Sequence, residues 1–376
     1  MAEPFGGTYR GARVFVTGHT GFKGSWLALW LAKLGASVAG YALDPPTTPS
    51  LFQTLHLDDR IGHLVGDVRD EGALQRALVA HEPEVVFHLA AQSLVRPSYN
   101  DPVGTYATNV MGTVNVLEAV RHAPSVRAVV VVTSDKCYAD TGRDTAHRED
   151  DPMGGRDPYS SSKGCAELVT AAYRESFFGV GSCVRVASVR GGNVIGGGDW
   201  AVDRIIPDCV RALGQGKPIQ VRNPGSVRPW QHVHELLAGY LWLGARLLHG
   251  DQTLDGAWNF GPMSMGTETV LDLVRMFVRA WGDGEWRLST HAPRGESQPH
   301  EARYLALDCA KAETLLGWHA IRKVSEAVRD TAAWYRAYHY GSDMIAGSEH
   351  EIDAYILAAR AAGIEWASGR VRAGCP

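Results

Sequence analysis

The sequence predicts an α/β protein with a Rossmann-like, doubly wound parallel sheet and a smaller mixed α/β domain that binds substrate. Three observations support this fold class. Short apolar runs alternate with segments of helical periodicity over the first half of the chain. A glycine-rich turn follows the first apolar run, and polar residues follow a later one. The second half has mixed elements divided by glycine-rich and polar segments.

The first elements are a buried strand over residues 13–17, a glycine-rich turn and a helix over residues 25–34. The turn has the spacing Gly-x-x-Gly-x-x-Gly, which is one residue looser than the commonest dinucleotide fingerprint. Glycine permits a tight turn and close contact with a pyrophosphate, which the helix N-terminus attracts. An ordinary strand-to-helix turn is the alternative, but the order of elements favours a dinucleotide site. Its predicted cofactor-binding residues are Gly18, Thr20, Gly21, Phe22, Lys23 and Gly24.

The second predicted strand, residues 37–43, ends at Asp44. A carboxylate at this place accepts hydrogen bonds from the adenosine ribose and repels a 2′-phosphate, which favours NAD over NADP. Asp44 as a helix cap or turn residue is the alternative. A third strand over residues 61–68 leads to Asp67, which is predicted to bind the adenine amino group, and to Val68 beside it.

The fourth and fifth predicted strands, residues 85–91 and 128–132, complete the centre of the sheet. Small residues end the fourth strand, where the nicotinamide end of a cofactor needs room, and we predict cofactor contacts at Leu89, Ala90 and Ala91. Helices are expected over residues 71–81 and 101–120. A sixth strand is predicted over residues 184–189. We therefore expect a sheet of five or six parallel strands, and such sheets bind ligands at the carboxyl ends of their strands.

A Tyr-x-x-x-Lys pair, Tyr159 and Lys163, opens a helix that extends to Phe178. Residues four apart share a helix face, so the ammonium lies beside the phenol. A nearby cation, together with the positive nicotinamide ring, lowers the phenol pKa and allows Tyr159 to act as a base near neutral pH, while Lys163 can also hold the cofactor ribose. Two surface residues of a helix are the alternative, which their place after the fifth strand disfavours.

The domain boundaries are predicted from the change of pattern after Arg190. Residues 1–190 form the NAD-binding domain, with 226–262 packing back onto it, and residues 191–225 and 263–376 form the substrate-binding domain. The glycine-rich segment 191–200 is predicted to be a loop that lines the site. The later predicted helices are 205–213, 235–248, 270–281, 310–316, 324–340 and 352–362, and the later strands are 219–221 and 258–261.

Composition excludes several classes of partner. The formal net charge of −4 gives no reason to expect a nucleic acid. We expect no signal peptide, no membrane span and a cytoplasmic protein, because no long apolar run is present. The six cysteines are scattered singly, which suits reduced thiols and predicts no metal site.

These motifs together resemble the extended short-chain dehydrogenase/reductase family, over about residues 12–340. Within it, the chain is most similar to the CDP-glucose 4,6-dehydratases. The glycine turn and the Tyr/Lys pair are general to the superfamily. Ser134 to Tyr138, Asn193 to Trp200, Arg228 to Val233 and Pro299 to Ala302 match the family as well. The more selective matches are Phe22-Lys23, Asp135-Lys136 and Gly198-Asp199-Trp200.

The resemblance implies NAD as cofactor and an internal redox cycle on a sugar nucleotide, CDP-glucose. Hydride leaves C4 of the sugar, water is eliminated across C5 and C6, and hydride returns to C6. Tyr159 takes the C4 hydroxyl proton and Ser134 hydrogen-bonds the C4 oxygen. Asp135 matches the acid of the elimination. Lys136 replaces the glutamate base of dTDP-glucose dehydratases, and an ion pair that holds the loop is its alternative role.

The resemblance also implies the substrate contacts and the assembly. The substrate-binding residues that it implies are Ser93, Asn193, Arg204, Arg228, His300 and Glu301. Surface or capping roles remain the alternative for Arg204, His300 and Glu301. Helices 103–120 and 162–178 match a four-helix contact of the family, so we predict a homodimer or homotetramer. A dTDP- or GDP-hexose dehydratase, a 4-epimerase and an inactive NAD-binding scaffold are the alternative functions.

Overall fold

A computed structural model of the chain describes residues 3–140, 142, 145–263, 268–289 and 306–369. Its strands are β1 Arg13–Thr17, β2 Ser37–Ala42, β3 Gly62–Val65, β4 Val85–His88, β5 Ala128–Val132, β6 Arg185–Arg190, β7 Val194–Ile195, β8 Ile219–Val221, β9 Gln231–His232, β10 Gly256–Asn259 and β11 Trp286–Leu288. Within the described ranges, seven parallel strands form one sheet in the order β10-β6-β5-β4-β1-β2-β3. The predicted Rossmann-like, doubly wound fold class is therefore confirmed.

Helices connect these strands and cover both faces of the sheet. They are α1 Phe22–Lys33, α2 Leu51–Thr54, α3 Glu71–His81, α4 Val95–Asn100, α5 Pro102–Tyr106, α6 Gly112–Arg121, α7 Pro158–Phe177, α8 Ile205–Gly214, α9 Val233–Leu248, α10 Val270–Trp281, α11 Ala310–Leu316, α12 Val324–His339 and α13 Met344–Ala361. A π-helical segment, Ala107–Met111, joins α5 to α6. None of the described helices is long and apolar enough to cross a bilayer.

The direction of winding reverses between β1 and β4, which are neighbours at the centre of the sheet. Thr17 at the end of β1 pairs in register with His88 at the end of β4. From β1 the chain proceeds to β2 and β3 on one side, and from β4 to β5 and β6 on the other. Ligands of doubly wound sheets bind at this reversal, outside the carboxyl ends of the strands.

The core lies on both sides of the sheet, as the unbroken apolar strands predict. Val14 and Val16 of β1 belong to the cluster formed with α1 and α9. Phe15 points to the opposite face and joins the cluster formed with α3 and α6. All residues of α9 are buried, because it packs on the sheet and is covered from outside by later elements.

The second half of the chain contributes to both parts of the molecule. Strand β10 pairs in parallel with β6 and so extends the main sheet. Two short parallel pairs, β7 with β9 and β8 with β11, lie apart from it. The C-terminal helix α13 packs on α1, and Trp366 after it stacks on Phe5 with ring centroids 4.9 Å apart. The predicted domain boundaries themselves stay a prediction.

Several details differ from the expectations, among them the early ends of β3 at Val65 and of β4 at His88 and the early start of α1 at Phe22. The sheet has seven strands within the described residues, not five or six, because β10 joins it. The glycine-rich segment predicted as a loop contains β7, which is formed by pairing with the distant β9. Helix α13 begins at Met344, well before the predicted residue 352. The Asp343 side chain caps it by accepting hydrogen bonds from the amides of Ile345 and Ala346, both at 3.0 Å.

Candidate active site

The glycine turn lies at the carboxyl end of β1, beside the end of β4. Gly18 has a φ of +75°, and a Cβ at this position would lie 2.7 Å from the backbone nitrogen of Ala90. A Cβ at Gly24 would lie 2.1 Å from the carbonyl oxygen of Gly18. Gly21 is the N-cap of α1 and leaves the first amides of the helix without a side-chain cap. This cradle of bare backbone N–H groups fits a pyrophosphate.

Two side chains of the turn join it to neighbouring segments. Thr20 is buried, and its Oγ1 donates a hydrogen bond to the carbonyl oxygen of Leu43 at 2.9 Å, just after β2. The Phe22 ring packs beside Gly196, where a Cβ would lie 3.2 Å from the ring. The predicted cofactor turn is therefore connected to the glycine-rich segment of the predicted substrate site.

Lys23 places a positive charge in the same cleft. Burial and the charge of Arg204 lower the pKa of its ammonium to about 8, with Asp135 opposing both. Within the part of the chain that the structure describes, no hydrogen bond or ion pair is made by this ammonium. The Lys23 charge is therefore available for an anionic ligand.

The predicted adenosine contacts lie after β2 and β3. Asp44 is exposed two residues beyond the end of β2. Asp67 is paired within its own turn, because its Oδ2 accepts hydrogen bonds from Nε of Arg69 at 2.8 Å and from Nη2 at 2.5 Å. This pairing lowers the pKa of the Asp67 carboxyl. Val68 is buried against Gly112. The role of Asp67 toward adenine stays a prediction.

The segment after β4 is held by a residue that the sequence analysis missed. Oγ1 of Thr17 accepts hydrogen bonds from the backbone amides of Leu89 and Ala90, both at 3.2 Å. Leu89, Ala90 and Ala91 are partly buried beside the glycine turn. The only signal for Thr17 in the sequence is its place as the last residue of the first strand, before the turn.

Tyr159 and Lys163 lie one helical turn apart at the start of α7. Tyr159 is 8% exposed, and burial raises the pKa of its phenol to about 12, although a hydrogen bond with Ser134 opposes this. Nζ of Lys163 donates a hydrogen bond to the carbonyl oxygen of Val132 at 3.1 Å. Burial lowers the pKa of Lys163 to about 7. Desolvation is the largest influence on the phenol pKa in the protein by itself, and a lower phenol pKa in the presence of Lys163 and the positive nicotinamide ring stays a prediction.

The predicted elimination residues follow β5 in a short helical turn, Asp135–Cys137. Asp135 is 2% exposed, and its carboxylate accepts hydrogen bonds from Oγ of Ser134 at 2.9 Å and from Nδ2 of Asn193 at 3.3 Å. Lys136 is half-buried, and none of the described residues forms a hydrogen bond or ion pair with its ammonium. The alternative of an ion pair that holds the loop therefore has no support among those residues.

The predicted substrate arginines lie on two segments. Arg204 immediately precedes α8, and its Nη1 donates a hydrogen bond to Oδ2 of Asp199 at 2.8 Å. Nη1 of Arg228 donates to the carbonyl oxygen of Val227 at 2.8 Å. The backbone amide of Gln231, three residues later, donates to the carbonyl oxygen of Asn193 at 3.2 Å. The fold thus brings the Arg228 segment beside the glycine-rich segment that contacts Asp135.

The structure does not test the remaining predicted substrate contacts. Ser93 is exposed after β4, and no contact in the described residues assigns it a role. His300 and Glu301 lie outside the described residues. All three stay predictions that rest on the family resemblance.

A cluster of His232, His234 and Glu351 has the composition of a metal site, with ligand atoms within 4.8 Å of one another. However, Nη1 of Arg322 lies 2.9 Å from Nδ1 of His232 and 3.9 Å from a carboxylate oxygen of Glu351. The guanidinium can only donate, so Nδ1 accepts and Nε2 carries the proton of the neutral ring. That proton and the positive charge of Arg322 both oppose a bound cation, so we interpret the cluster as a buried ionic network.

Comparison with known proteins assigns the chain to a family. The family model described as GDP-mannose 4,6 dehydratase matches residues 15–331. The chain belongs to this family. The sequence-based expectation of a sugar-nucleotide dehydratase of the extended short-chain dehydrogenase/reductase type is thereby confirmed.

Several members of the dehydratase family resemble the chain over most of its length. The CDP-glucose 4,6-dehydratase of Salmonella typhimurium is 50% identical, and the match covers 93% of this chain and 98% of that protein. The dTDP-glucose 4,6-dehydratase of Streptomyces antibioticus is 31% identical over 86% of this chain and 92% of its own. A crystal structure of the dTDP-glucose 4,6-dehydratase of Streptomyces venezuelae with NAD bound has a TM-score of 0.71 and 25% identity, covering 89% of this chain and 99% of its own.

Proposed function

We propose that this chain converts CDP-glucose to CDP-4-keto-6-deoxyglucose and water, with NAD as its bound cofactor. The observation that carries the proposal is that residues for proton transfer at C4 and residues for elimination lie on adjoining segments of one site. Tyr159 and Lys163 supply the first set, and Asp135 and Lys136 supply the second. The relative that shares half of its residues with this chain is a CDP-glucose 4,6-dehydratase.

The cradle of the glycine turn supports NAD as the cofactor. The glycines bring the turn and the start of α1 close together, the first amides of α1 have no side-chain cap, and Lys23 adds a positive charge beside them. The Asp44 carboxylate, exposed after β2, would accept hydrogen bonds from the ribose hydroxyls and repel a 2′-phosphate. When bound, NAD supplies the hydride acceptor for C4 and the hydride donor for C6.

At C4, the proton is assigned to the phenolate oxygen of Tyr159, and the Ser134 hydroxyl donates a hydrogen bond to the C4 oxygen. The pKa of about 12 in the protein by itself means that the phenol is neutral near pH 7. Added positive charge lowers a phenol pKa, so the oxidised cofactor and a protonated Lys163 favour proton loss. The base is therefore active only in the assembled complex.

For the elimination, we assign the acid to Asp135 and the base to Lys136. Asp135 is buried and hydrogen-bonded to Ser134, so the acid lies next to the residue that binds the C4 oxygen. A C4 ketone acidifies C5–H, and the Lys136 side chain can remove that proton only as the neutral amine. Protonated Asp135 then donates a proton to the departing C6 hydroxyl.

The diphosphate of the substrate requires positive charge at some distance from the sugar. Arg204, Arg228 and the uncompensated Lys23 are the candidate cations. Arginine suits this role because its planar guanidinium binds two phosphate oxygens at once. Asn193, which contacts Asp135, would bind the sugar or the diphosphate next to the reacting carbon atoms.

Product analysis with a panel of nucleotides tests the proposal. The purified protein is incubated with NAD and, separately, with the CDP-, dTDP-, UDP- and GDP-linked hexoses. We expect loss of the mass of one water from CDP-glucose and a keto product. Dehydration of another member of the panel would reassign the substrate within the family, and an epimer of unchanged mass would replace dehydration by epimerisation.

We also propose that the chain forms a homodimer or a dimer of dimers through its α5–α6 helix and α7. These helices pack side by side and expose large apolar side chains, among them Val103 at 79% and Leu168 at 60%. Exposed apolar surface of this extent on neighbouring helices is typical of an interface. A second copy of the same two helices would form a four-helix contact about a two-fold axis.

Substitutions on the exposed faces test this assembly. We expect Val103→Arg combined with Leu168→Arg to convert the oligomer to a monomer in light scattering at micromolar concentration. Leu357→Arg, on the similarly exposed face of α13, is the matched control and should leave the mass unchanged. A monomeric wild type would contradict the proposal directly.

We place this activity in the cytoplasm. The five cysteines within the described residues are free thiols, namely Cys137, Cys165, Cys183, Cys209 and Cys309. Reducing compartments keep cysteines in this state. Recovery of the native protein in a detergent-free cell extract supports this location, and recovery in a membrane or secreted fraction contradicts it.

A further inference from the structure

A buried carboxylate lies directly behind the catalytic segment. Glu167 is 4% exposed and follows Lys163 by one turn of α7. One of its oxygens accepts a hydrogen bond from the Thr133 hydroxyl at the end of β5. The other accepts from Oγ of Ser188 at 2.7 Å and from Nη2 of Arg190 at 2.8 Å, both on β6. One side chain thus connects the catalytic helix to the ends of two strands.

Arg190 extends this connection beyond the catalytic segment. It is 3% exposed, and its Nη1 donates hydrogen bonds to the hydroxyl of Tyr138 at 2.7 Å and to the carbonyl oxygen of Glu149 at 2.9 Å. The Tyr138 hydroxyl in turn donates to Oδ1 of Asn259 on β10 at 2.7 Å. The segment between Thr133 and Tyr138, which contains the catalytic residues 134–136, is therefore held at both ends.

Such a network is costly unless it is complete. A buried ion pair loses the hydration of both charges, and it recovers this loss only when its remaining donors and acceptors are satisfied. Each Glu167 oxygen and each terminal nitrogen of Arg190 has a partner, and Nε of Arg190 is the one donor of the pair without a partner among the described residues. Apolar residues could join the same elements at lower cost. The ionic pair therefore indicates a requirement for defined geometry and charge at this place.

The charge of Glu167 also acts on Lys163. Burial and the charge of Lys23 lower the Lys163 pKa to about 7, and Glu167 is the main opposing influence. Other titratable groups around Lys163 are the Tyr159 phenol one helical turn before it, the Cys137 thiol, next to Glu167, and the neutral imidazole of His88. Without the Glu167 charge, the Lys163 pKa would fall further and the amine would be neutral near pH 7.

We propose that Glu167 is a positioning residue that fixes the catalytic segment 134–136 against α7 and places a negative charge beside the Lys163 ammonium. The inference rests on the proposed dehydratase function, since it concerns how that site is held. The sequence offers one signal for it, which is the spacing of four residues that puts Glu167 on the same helix face as Lys163.

Glu167→Gln and Glu167→Asp separate charge from shape. Gln keeps the acceptor oxygen for Thr133 but loses the charge, so we expect kcat with CDP-glucose to fall about tenfold or more at pH 8, with little change of KM. The alkaline limb of the kcat profile should move to lower pH by about one unit, because Lys163 then loses its proton more readily. Glu167→Asp restores the charge, so its pH profile should remain close to that of the wild type.

Two further variants separate the effect of positioning on kcat from the effect of lower stability. Thr133→Val is isosteric and removes only a hydroxyl, so we expect a lower kcat with an unchanged pH profile. Asp251→Asn removes the carboxylate of another buried ion pair, Asp251 with Arg246 at 2.6 Å, and should lower stability without moving the pH profile.

The outcomes are distinct. Wild-type kcat and pH profile in both Glu167→Gln and Thr133→Val would overturn the inference while leaving the dehydratase function intact. If Glu167→Gln does not fold, wild-type kcat in Thr133→Val alone overturns it. A wild-type protein that dehydrates no sugar nucleotide would instead refute the proposed function, and the inference with it.

Discussion

Replacement of Gly24 by alanine should disrupt the cofactor turn. A Cβ there would lie 2.1 Å from the Gly18 carbonyl oxygen and 2.8 Å from the Cα of His19, and both are backbone atoms that cannot rotate away. The start of α1 must separate from the turn by about 1 Å, and overpacking of this kind costs about 1–3 kcal/mol. If the shift also spoils the pyrophosphate cradle, NAD affinity falls by about 5- to 150-fold.

Urea denaturation of the cofactor-free protein and calorimetric titration with NAD measure the two effects separately. Gly21→Ala is the matched control, because its Cβ would make an ordinary contact of 3.5 Å with the same oxygen of Gly18. Its free energy of unfolding should stay within about 0.5 kcal/mol of the wild type. Its NAD affinity should still fall, since the methyl group occupies space where the backbone meets the pyrophosphate. Wild-type stability and NAD affinity in Gly24→Ala would show that the helix and turn are not in the described contact.

Three further predictions concern single side chains. Tyr159→Phe should lower turnover by about 10²–10⁴-fold while NAD affinity stays unchanged, and undiminished turnover would remove the phenol from the mechanism. Lys136→Met should abolish incorporation of solvent deuterium at C5 of the sugar, measured by mass spectrometry, whereas persistent exchange would assign the base elsewhere. Burial raises the pKa of Glu235 to about 7, from 4.5 in the unfolded chain, so the folded state binds the extra proton between these values. Stability should therefore decline as the pH rises from 4.5 through 7, and Glu235→Gln should remove this decline in urea titrations at several pH values.

The elements that the sequence predicted well are those with a strong local pattern. Strand β1, strand β5 and helices α3, α10 and α11 have the predicted bounds, because their apolar periodicity and their flanking turns are complete within each segment. The start of α13 was predicted too late, since the cap at Asp343 precedes any clear periodicity. Short strands such as β7 exist only through pairing with a distant segment, which no local pattern reveals.

The predicted site likewise contains features with a local sequence pattern and features that depend on distant partners. The sequence identified the glycine turn and the Tyr159–Lys163 pair from spacing, and the structure places both at the carboxyl ends of the central strands. It did not reveal that Arg69 donates hydrogen bonds to the Asp67 carboxylate, or that the Thr17 hydroxyl accepts hydrogen bonds from the amides after β4. Partners of this kind depend on side-chain direction and on burial, which are properties of the assembled fold.

The sequence by itself determined the fold class, the position of the glycine turn and the Tyr159–Lys163 pair, because each depends on the chemistry and spacing of neighbouring residues. Only the tertiary structure decided the electrostatics of the site. Burial raises the pKa of Tyr159 and lowers that of Lys163, in opposition to what their proximity alone predicts. Desolvation acts on each charge through all the atoms that surround it, and those atoms come from strands and helices far apart in the chain. The same dependence on distant partners brings Glu167 and Arg190 together behind the catalytic segment.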